Sequence, residues 1–387
     1  MLHRLNGRAQ PAARATDTAT RVVSDLRELV ALEESWGAFM GMASSPMQHH
    51  DWIRARAETV SGDCELHVVV VGRPPDLRAV APMVRRLDGH RQLASIELDE
   101  PTDVLAADLA GAKRLAEALC ESGHPLFLRR VPADSPIVAA LHRVYRTAVG
   151  VVFCRRQVGC PWVPIDASWT EPEQHLNAGR RSDLRRARRI AREIGPIRVD
   201  VLSPSPEELA PLLAKAYAIE AASWKGRTRS ALVHDSQRSR FYRRYAMAAS
   251  RRGILRLAFL YIGGHPVAMQ LAVECDRRFW LLKIGYDERF ARCSPGTLLM
   301  IETLRHAALS SLDSYELLGA VEPWTRMWTD RERPCVSLRA YPSTARGLAA
   351  MLTDLAAVGS RALGRRWREF DEGPSSRRDQ GVLGTPR

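Results

Sequence analysis

Lysine is scarce in this chain, although the chain as a whole is strongly basic. Its 387 residues include only four lysines, so arginine supplies most of the net charge of +13. The arginines are scattered along an alanine-rich chain, as a bias toward GC-rich codons would produce, and the charge is therefore weak evidence for nucleic-acid binding. Where arginine is the default cation, a lysine is expected to be present for its own chemistry.

Metal-ligand motifs, a signal peptide and long apolar runs are also missing from the sequence. The seven cysteines show neither C-x-x-C spacing nor a Cys/His ligand pattern, so no metal site and no disulfide framework are expected. No apolar signal core follows the N-terminus, and no run approaches the ~20 apolar residues of a membrane span. We expect a cytoplasmic protein with reduced thiols, a disordered leader over residues 1–20 and a disordered tail over 371–387.

The order of predicted elements repeats along the chain. The second half predicts, in sequence, a helix over 206–224, a helix over 235–251, a hairpin turning at Gly263-Gly264, the strand RFWLLKIGY, a helix over 297–309 and the strand SYELLGAV. The first half follows the same plan less clearly, with two helix candidates, a hairpin turning at Arg-Pro-Pro-Asp, a helix over 108–120 and the strand PLFLRRV. The sequence thus predicts an α/β (α+β) fold of two similar domains, over 21–163 and 164–345, followed by a C-terminal helix over 346–370.

The stretch KIGYDERFARCSPGTLLM contains the clearest candidate ligand site. It predicts a strand, a polar loop and a helix start, where unpaired backbone N–H groups and a partial positive charge favour phosphate. Pro295 suits the first helical position, Ser294 is a candidate N-cap, and Gly296 lets an anion approach the backbone. The candidate phosphate-binding residues are Arg289, Arg292, Cys293, Ser294, Gly296 and Thr297. An ordinary capped helix is the alternative interpretation.

Two further segments are candidates for substrate contacts. In SWKG, Trp224 and the rare Lys225 can stack on a substrate and pair with its charge, although a glycine after a helix is also a common C-cap. The run AGRRSDLRRARRIAREIG predicts a basic amphipathic helix, from which Arg180 and Arg185 are candidates for binding an anionic ligand. A solvated helix face with pairs such as Arg189–Glu193 would explain the same pattern.

Taken in order, the R-x-x-L-R-R run, SWKG and KIGYDERFARCSPGTLL resemble the CelD-type acyltransferase family. This is a branch of the GNAT superfamily that is related to FemAB proteins and often associated with cellulose biosynthesis. The resemblance extends roughly from Asp25 to Ala340. It implies a GNAT-like fold, a mixed twisted sheet flanked by helices, in each half, with catalysis in the second half only. It also implies that RFWLLKIGY and SYELLGAV splay apart to admit pantetheine, while ARCSPGT holds the diphosphate of acyl-CoA.

The resemblance implies direct transfer of an acetyl or longer acyl group from acyl-CoA to an amine of a small molecule or of a cell-envelope or polysaccharide precursor. Asp287 and Glu322 are the candidate bases, and Tyr286 is the candidate proton donor to the thiolate. Lys283 or Lys225 would stabilise the oxyanion or bind an acidic group of the substrate. Trp328 matches the family pattern and is a further substrate-binding candidate. The sequence departs from the family pattern at position 325, where this chain has Thr325 instead of the usual lysine. The next residue, Arg326, is a cation but is not equivalent to lysine.

Two alternative functions stay open at this point. A FemAB-like transferase would take its donor group from aminoacyl-tRNA, and the basic helix would suit contacts with RNA phosphates. A non-enzymatic accessory protein of polysaccharide biosynthesis would retain the fold without the chemistry.

Overall fold

The computed structural model of the protein describes residues 19–39, 41, 43–59, 64–87, 89–94, 98 and 100–357. Most of the predicted leader and the whole predicted tail lie outside these residues. The predicted C-terminal helix is helical over 345–357, and its remainder also lies outside them.

The first half of the chain alternates between short helices and strands. Its elements are β1 (Thr20–Val23), α1 (Leu26–Ala31), α2 (Glu33–Gly37), α3 (His50–Ala57), β2 (Cys64–Arg73), β3 (Asp76–Arg86), β4 (Arg91–Leu93), β5 (Leu105–Ala106), α4 (Leu109–Glu121), β6 (Leu126–Pro132), α5 (Pro136–Thr147) and β7 (Val151–Pro164). The predicted hairpin corresponds to β2 and β3, whose strands pair antiparallel from Cys64–Arg86 to Arg73–Asp76.

The second half has longer and more regular elements. They are α6 (Ala178–Ile194), β8 (Ile197–Leu202), α7 (Pro206–Ala221), α8 (Trp224–Arg227), α9 (Ser236–Arg251), β9 (Leu255–Ile262), β10 (His265–Cys275), β11 (Arg278–Tyr286), α10 (Pro295–Leu309), β12 (Ser314–Glu316) and β13 (Glu332–Tyr341). A short 3-10 helix, Glu288–Cys293, connects β11 to α10.

Within the described residues the strands join one mixed sheet, ordered β1-β2-β3-β4-β6-β13-β7-β12-β11-β10-β9-β8, with β5 paired to β3. The two ends of this sheet follow the same plan. The series β1-β2-β3-β4-β6 and β8-β9-β10-β11-β12 each end in a parallel pair, β4 with β6 and β11 with β12. In each half a helix, α4 or α10, precedes the last of these strands, as a parallel connection requires. The predicted α/β class and the repeated plan are confirmed.

Strands β7 and β13 connect the two halves. Strand β13 is inserted between β6 and β7, with Val336 opposite Val131 on one side and Arg156 on the other. Residues 332–341 therefore lie in the sheet of the first half, although the sequence analysis included them in the domain over 164–345. The last residues of β7 leave β13 and pair with β12, so β7 crosses the predicted boundary near 161–164. Local sequence patterns identify strands but not their distant partners.

Three predicted elements are shorter in the structure than in the sequence analysis. The helix predicted over 206–224 ends at Ala221, and Trp224 begins the separate short helix α8. The strand predicted from SYELLGAV is regular only over Ser314–Glu316. The first of the two helix candidates in the first half forms two short helices, α1 and α2, that meet at Leu32.

A buried aromatic cluster packs the two halves against each other. The Trp52 ring of α3 lies 4.8 Å from the Phe241 ring and 4.7 Å from the Tyr245 ring, both on α9, in edge-to-face contacts. All three side chains are at most 1% exposed. Burial of each such ring contributes roughly 1.5–3 kcal/mol relative to exposure, so this contact is a substantial link between the halves. It holds α3 of the first half against α9 of the second half.

Candidate active site

A cavity opens where β11 and β12 separate. The parallel pairing of these strands ends at Trp280 and Glu316, whereas β11 continues for another six residues. The chain turns away from β11 at Leu318 and Gly319, both in the left-handed region with φ of 54° and 55°. The resulting cavity has a volume of about 660 Å³. Among the described strands, none pairs with this edge of β11 along the cavity.

The start of α10 leaves backbone donors facing this cavity. Ser294 precedes the helix in the left-handed conformation (φ 46°, ψ 52°), and its side chain makes no capping hydrogen bond. Its amide donates to the Ala291 carbonyl (2.9 Å), but among the described residues the amides of Gly296 and Thr297 have no acceptor. Both residues line the cavity, and a Cβ on Gly296 would lie 3.6 Å from the Tyr286 ring. Unpaired N–H groups at a helix start form an anion site.

Asp287, a predicted base, has a structural role. Its carboxylate caps the 3-10 helix by accepting from the Arg289 amide (3.0 Å), and the Arg289 guanidinium contacts both of its oxygens (2.6 Å from Nη2 to Oδ2, 3.1 Å from Nε to Oδ1). These hydrogen bonds hold the pKa of the Asp287 carboxyl below its usual value. Neither residue lines the cavity. The expected roles of Asp287 as base and of Arg289 as phosphate clamp therefore do not match this geometry.

Cys293 and Arg292 also differ from the expected arrangement. The Cys293 side chain is 1% exposed and packs in the apolar core below α10, and burial raises the pKa of its thiol. Arg292 is exposed and lines a neighbouring groove rather than the main cavity. Ser294 occupies the N-cap position, as predicted, but without the side-chain hydrogen bond that an N-cap normally makes.

A charged cluster forms part of the cavity wall. Lys283 Nζ lies 3.4 Å from Glu100 Oε1 and 4.7 Å from the centre of the Tyr242 ring. Burial opposes the charge on this lysine, but the neighbouring Tyr242 hydroxyl and Glu100 carboxylate raise the pKa of Lys283 above its usual value. Glu100 comes from a first-half loop and is 7% exposed. No sequence motif marks Glu100, because only the packing of the two halves brings it here.

Lys225 is the second lysine of the cavity, and it is held by the protein itself. Its Nζ donates to the Ile284 carbonyl (2.7 Å) and to Glu220 Oε1 (3.2 Å). Burial lowers the pKa of Lys225. The Ile284 carbonyl belongs to β11, so this lysine ties the short helix α8 to the strand that borders the cavity. Its neighbour Trp224 is 49% exposed at the cavity rim.

The loop after β12 contains two further residues that the sequence predicted for the site, Glu322 and Trp328. Glu322 and Trp328 line the cavity, and the Glu322 carboxylate accepts from the Trp324 indole N–H (2.8 Å). Thr325, where the family usually has a lysine, is fully buried, and its hydroxyl donates to the Glu322 carbonyl (2.9 Å). Arg326 is exposed and does not line the cavity, so it does not replace that lysine.

A smaller cavity of about 300 Å³ adjoins the main one and is called here the basic groove. Its polar lining comes from α6, from the 3-10 helix before α10 and from the start of α10: Arg180, Asp183, Arg186, Arg292, Ser294 and Thr297. Ser294 and Thr297 line both cavities, so the two are continuous. Arg185, the other predicted residue of α6, lies on a different part of that helix, beside Arg188, Arg189 and Arg192.

Potential metal ligands come together outside both cavities. His49, Cys275 and Asp276 place one ligand atom each within 4.8 Å of one another, and so do Glu33, His50 and Asp51. In the second group the carboxylates already pair with Arg252. The site built above does not involve either group.

Comparisons with known proteins show what part of this chain is similar to. Residues 178–326 match the family described as an acetyltransferase (GNAT) domain. No curated protein sequence matches the chain. No helix among residues the structure describes has the length and apolar character to cross a membrane.

Several solved structures share the fold across nearly their whole length. The FemX structure has a TM-score of 0.53 at 12% identity, over 86% of this chain and 99% of that one. The C-terminal domain of a protein from Agrobacterium fabrum, provisionally named a lysylphosphatidylglycerol synthetase, has a TM-score of 0.53 at 11% identity, over 84% and 95%. A conserved Bacteroides thetaiotaomicron protein of unknown function has 0.52 at 9%, over 83% and 99%.

At these identities the structural likeness shows the fold alone. The matched segment, residues 178–326, contains β11, the open start of α10, β12 and most of the cavity lining. This part of the chain, which carries the unpaired amides and the splayed strands, is thus the part that is similar to the acetyltransferase (GNAT) family.

Proposed function

We propose that the protein is an acyl-CoA-dependent N-acyltransferase. Its donor would be acetyl-CoA or a longer acyl-CoA, and its acceptor an amine of a small molecule or of a cell-envelope or polysaccharide precursor. The observation that carries this proposal is the pair of unpaired amides, Gly296 and Thr297, at a helix start that opens on the cavity. A diphosphate accepts hydrogen bonds from both amides and is favoured by the helix dipole.

The pantetheine arm would lie along the open edge of β11. Among the described strands, β10 alone pairs with β11 from Leu281 to Tyr286, so the outer edge of β11 can hydrogen-bond the amide groups of an extended ligand. The arm would run from the diphosphate at Gly296 toward the charged cluster at Lys283. The thioester would then lie inside the cavity, where the protein replaces most of the surrounding water.

The reaction would be a direct transfer. The amine nitrogen attacks the thioester carbonyl carbon, the carbon–sulfur bond breaks, and CoA leaves as a thiolate that must be protonated. Holding the two reactants together in this orientation can supply several kcal/mol of the barrier reduction, roughly 7–11 at best. The ammonium groups of Lys225 and Lys283 place positive charge in the cavity, where it can stabilise the oxyanion that forms during attack.

Glu100 is the better candidate for the base that takes the amine proton. Among the carboxylates that line the cavity, Glu100 is buried, and its contacts with Lys283 Nζ (3.4 Å) and the Tyr242 hydroxyl (3.5 Å) are long. Glu322 is exposed and accepts a shorter hydrogen bond from the Trp324 indole (2.8 Å). Asp287 is held by Arg289 outside the cavity. Tyr286 stays the candidate proton donor to the thiolate, because its ring lies beside Gly296 on the expected path of the donor.

Calorimetric titration with acetyl-CoA, a longer acyl-CoA and aminoacyl-tRNA tests the proposal against both alternatives. We expect acyl-CoA to bind with a dissociation constant in the micromolar range, and free thiol to appear when an acceptor amine is added. Binding of aminoacyl-tRNA without acyl-CoA would support the FemAB-like transferase instead. Binding of neither donor would support an accessory protein without this chemistry.

A further inference from the structure

The basic groove carries positive charge that the protein does not compensate. The guanidinium groups of Arg180, Arg186 and Arg292 make no hydrogen bond or ion pair with any of the residues described. This differs from Arg188 on the same helix, which pairs with Glu173 at 2.5 Å. Uncompensated guanidinium groups in a concave site favour an anionic ligand, and their planar donors suit phosphate.

The groove also has one carboxylate among its lining residues, Asp183. Three guanidinium groups against one carboxylate leave a surplus of two positive charges. This positive charge lies beside the unpaired amides of Gly296 and Thr297, which are called here the amide cradle. The two features adjoin because Ser294 and Thr297 line both the groove and the main cavity. A ligand whose diphosphate binds at Thr297 can therefore place a further phosphate in the groove.

The remaining lining of the groove is apolar. Leu184 and Ala187, each 4% exposed, form its floor on α6, and Ile190 and Met327 border it. A floor of aliphatic side chains beneath guanidinium groups is suited to a flat, weakly polar ring that carries a phosphate on its sugar. This combination matches the nucleoside end of a CoA molecule.

We propose that the basic groove binds the 3′-phosphoadenosine end of the donor, with Arg186 and Arg292 contacting the 3′-phosphate and the adenine ring over Leu184 and Ala187. This inference rests on the proposed function, because it assumes that the donor is a CoA thioester. The groove would then be the part of the protein that distinguishes CoA from a donor without the 3′-phosphate.

The test compares CoA with 3′-dephospho-CoA by calorimetry on the full chain. In the unmodified protein we expect CoA to bind at least about tenfold more tightly than dephospho-CoA. In an Arg186→Gln/Arg292→Gln double variant this ratio should fall close to one, while the affinity for dephospho-CoA stays within about twofold. Arg189→Gln is the matched control, because Arg189 is on the same helix, lies 3.8 Å from Glu193 and lines neither cavity. It should keep the ratio of the unmodified protein.

The outcomes separate this inference from the proposed function. If both donors bind but the unmodified protein does not distinguish them, the groove inference is wrong and the proposed function stands. The same conclusion follows if the double variant weakens both donors equally, or if Arg189→Gln removes the discrimination as well. If neither donor binds at millimolar concentration, the proposed function fails and the groove inference fails with it.

Discussion

The starts of α4 and α10 occupy the same place in the two halves, yet only one is open to a ligand. Before α4, Asp108 is extended, its carboxylate accepts from the Gly111 amide (2.7 Å), and it also pairs with Arg78. Before α10, Ser294 is left-handed and its side chain caps nothing. A carboxylate of the chain thus takes the place in the first half that a phosphate would take in the second.

The two helix starts therefore differ in what they offer to an anion, although each begins a regular helix. At the α4 start the Asp108 carboxylate caps the Gly111 amide and places a negative charge there, which stabilises the helix and repels anions. The α10 start leaves donors unpaired, which costs stability until an anion binds. The first half contributes to the proposed chemistry in another way, by placing Glu100 in the cavity of the second half.

The largest effect is expected when Ser294, which precedes α10, is replaced by an aspartate like the Asp108 that precedes α4. Ser294→Asp places a negative charge beside the amide cradle, and repulsion of the diphosphate should weaken acyl-CoA binding by on the order of 100-fold. Ser294→Asn is the matched control, because asparagine also tolerates the left-handed conformation but is neutral. Calorimetric titration of both variants measures this difference. Equal, unweakened binding by both variants would contradict the comparison.

A second change removes the contribution of the first half to the chemistry. Glu100→Gln retains the shape of the side chain but cannot accept a proton, so kcat should fall by roughly 100-fold. The affinity for acyl-CoA should change little, since the amide cradle is untouched. Steady-state kinetics across pH, with calorimetry on the same variant, separates these effects. A variant with normal kcat would exclude Glu100 as the base.

Paired glycine substitutions should have opposite consequences at the two helix starts. A Cβ on Gly111 would lie 2.5 Å from the Arg78 carbonyl oxygen, so Gly111→Ala should lower the free energy of unfolding by about 1–3 kcal/mol without affecting donor binding. The nearest atom to a Cβ on Gly296 would be 3.6 Å away, so the Gly296→Ala variant should fold normally. It should bind acyl-CoA about tenfold more weakly, because the added methyl group narrows the space in front of the amide cradle. Thermal unfolding and calorimetry on both variants measure these effects. Reduced stability of Gly296→Ala with unchanged binding would count against the cradle.

The smallest effect is expected at Asp287, which the structure assigns to stability. Its pKa is lowered in the folded state, so its stabilising contribution is present above the usual value of 3.8 and is lost as the pH falls through the folded value. Asp287→Asn keeps the cap but loses the charge that pairs with Arg289. The unfolding temperature of this variant should lie slightly below that of the unmodified protein from pH 5 to 8, and the gap should close below pH 3.8. Turnover should be unchanged, and a large loss of kcat would return Asp287 to the catalytic group.

The sequence predicted the features that depend on local patterns. The strand RFWLLKIGY has the predicted bounds, Arg278–Tyr286, because alternation and aromatic content are local. The start of α10 at Pro295 was predicted within two residues, since proline at a first helical position is a strong local signal. The candidate anion site followed from these two elements together.

The features that depend on distant packing were not predictable in this way. Strand β13 pairs with β6, some two hundred residues earlier, and no local pattern specifies that partner. Glu100 reaches the cavity only because α3 and α9 pack the halves together. Arg289 and Asp287 were expected to face the ligand, but each satisfies the other, because two opposite charges two residues apart pair readily in a tight turn.

The most direct test of the central claim is amide hydrogen exchange at Gly296 and Thr297, measured with and without saturating CoA. If these amides hold the diphosphate, their exchange should slow markedly when CoA is added and should not change with pantetheine, which lacks the diphosphate. Unchanged exchange at both amides, under conditions where calorimetry shows CoA to be bound, would contradict the account.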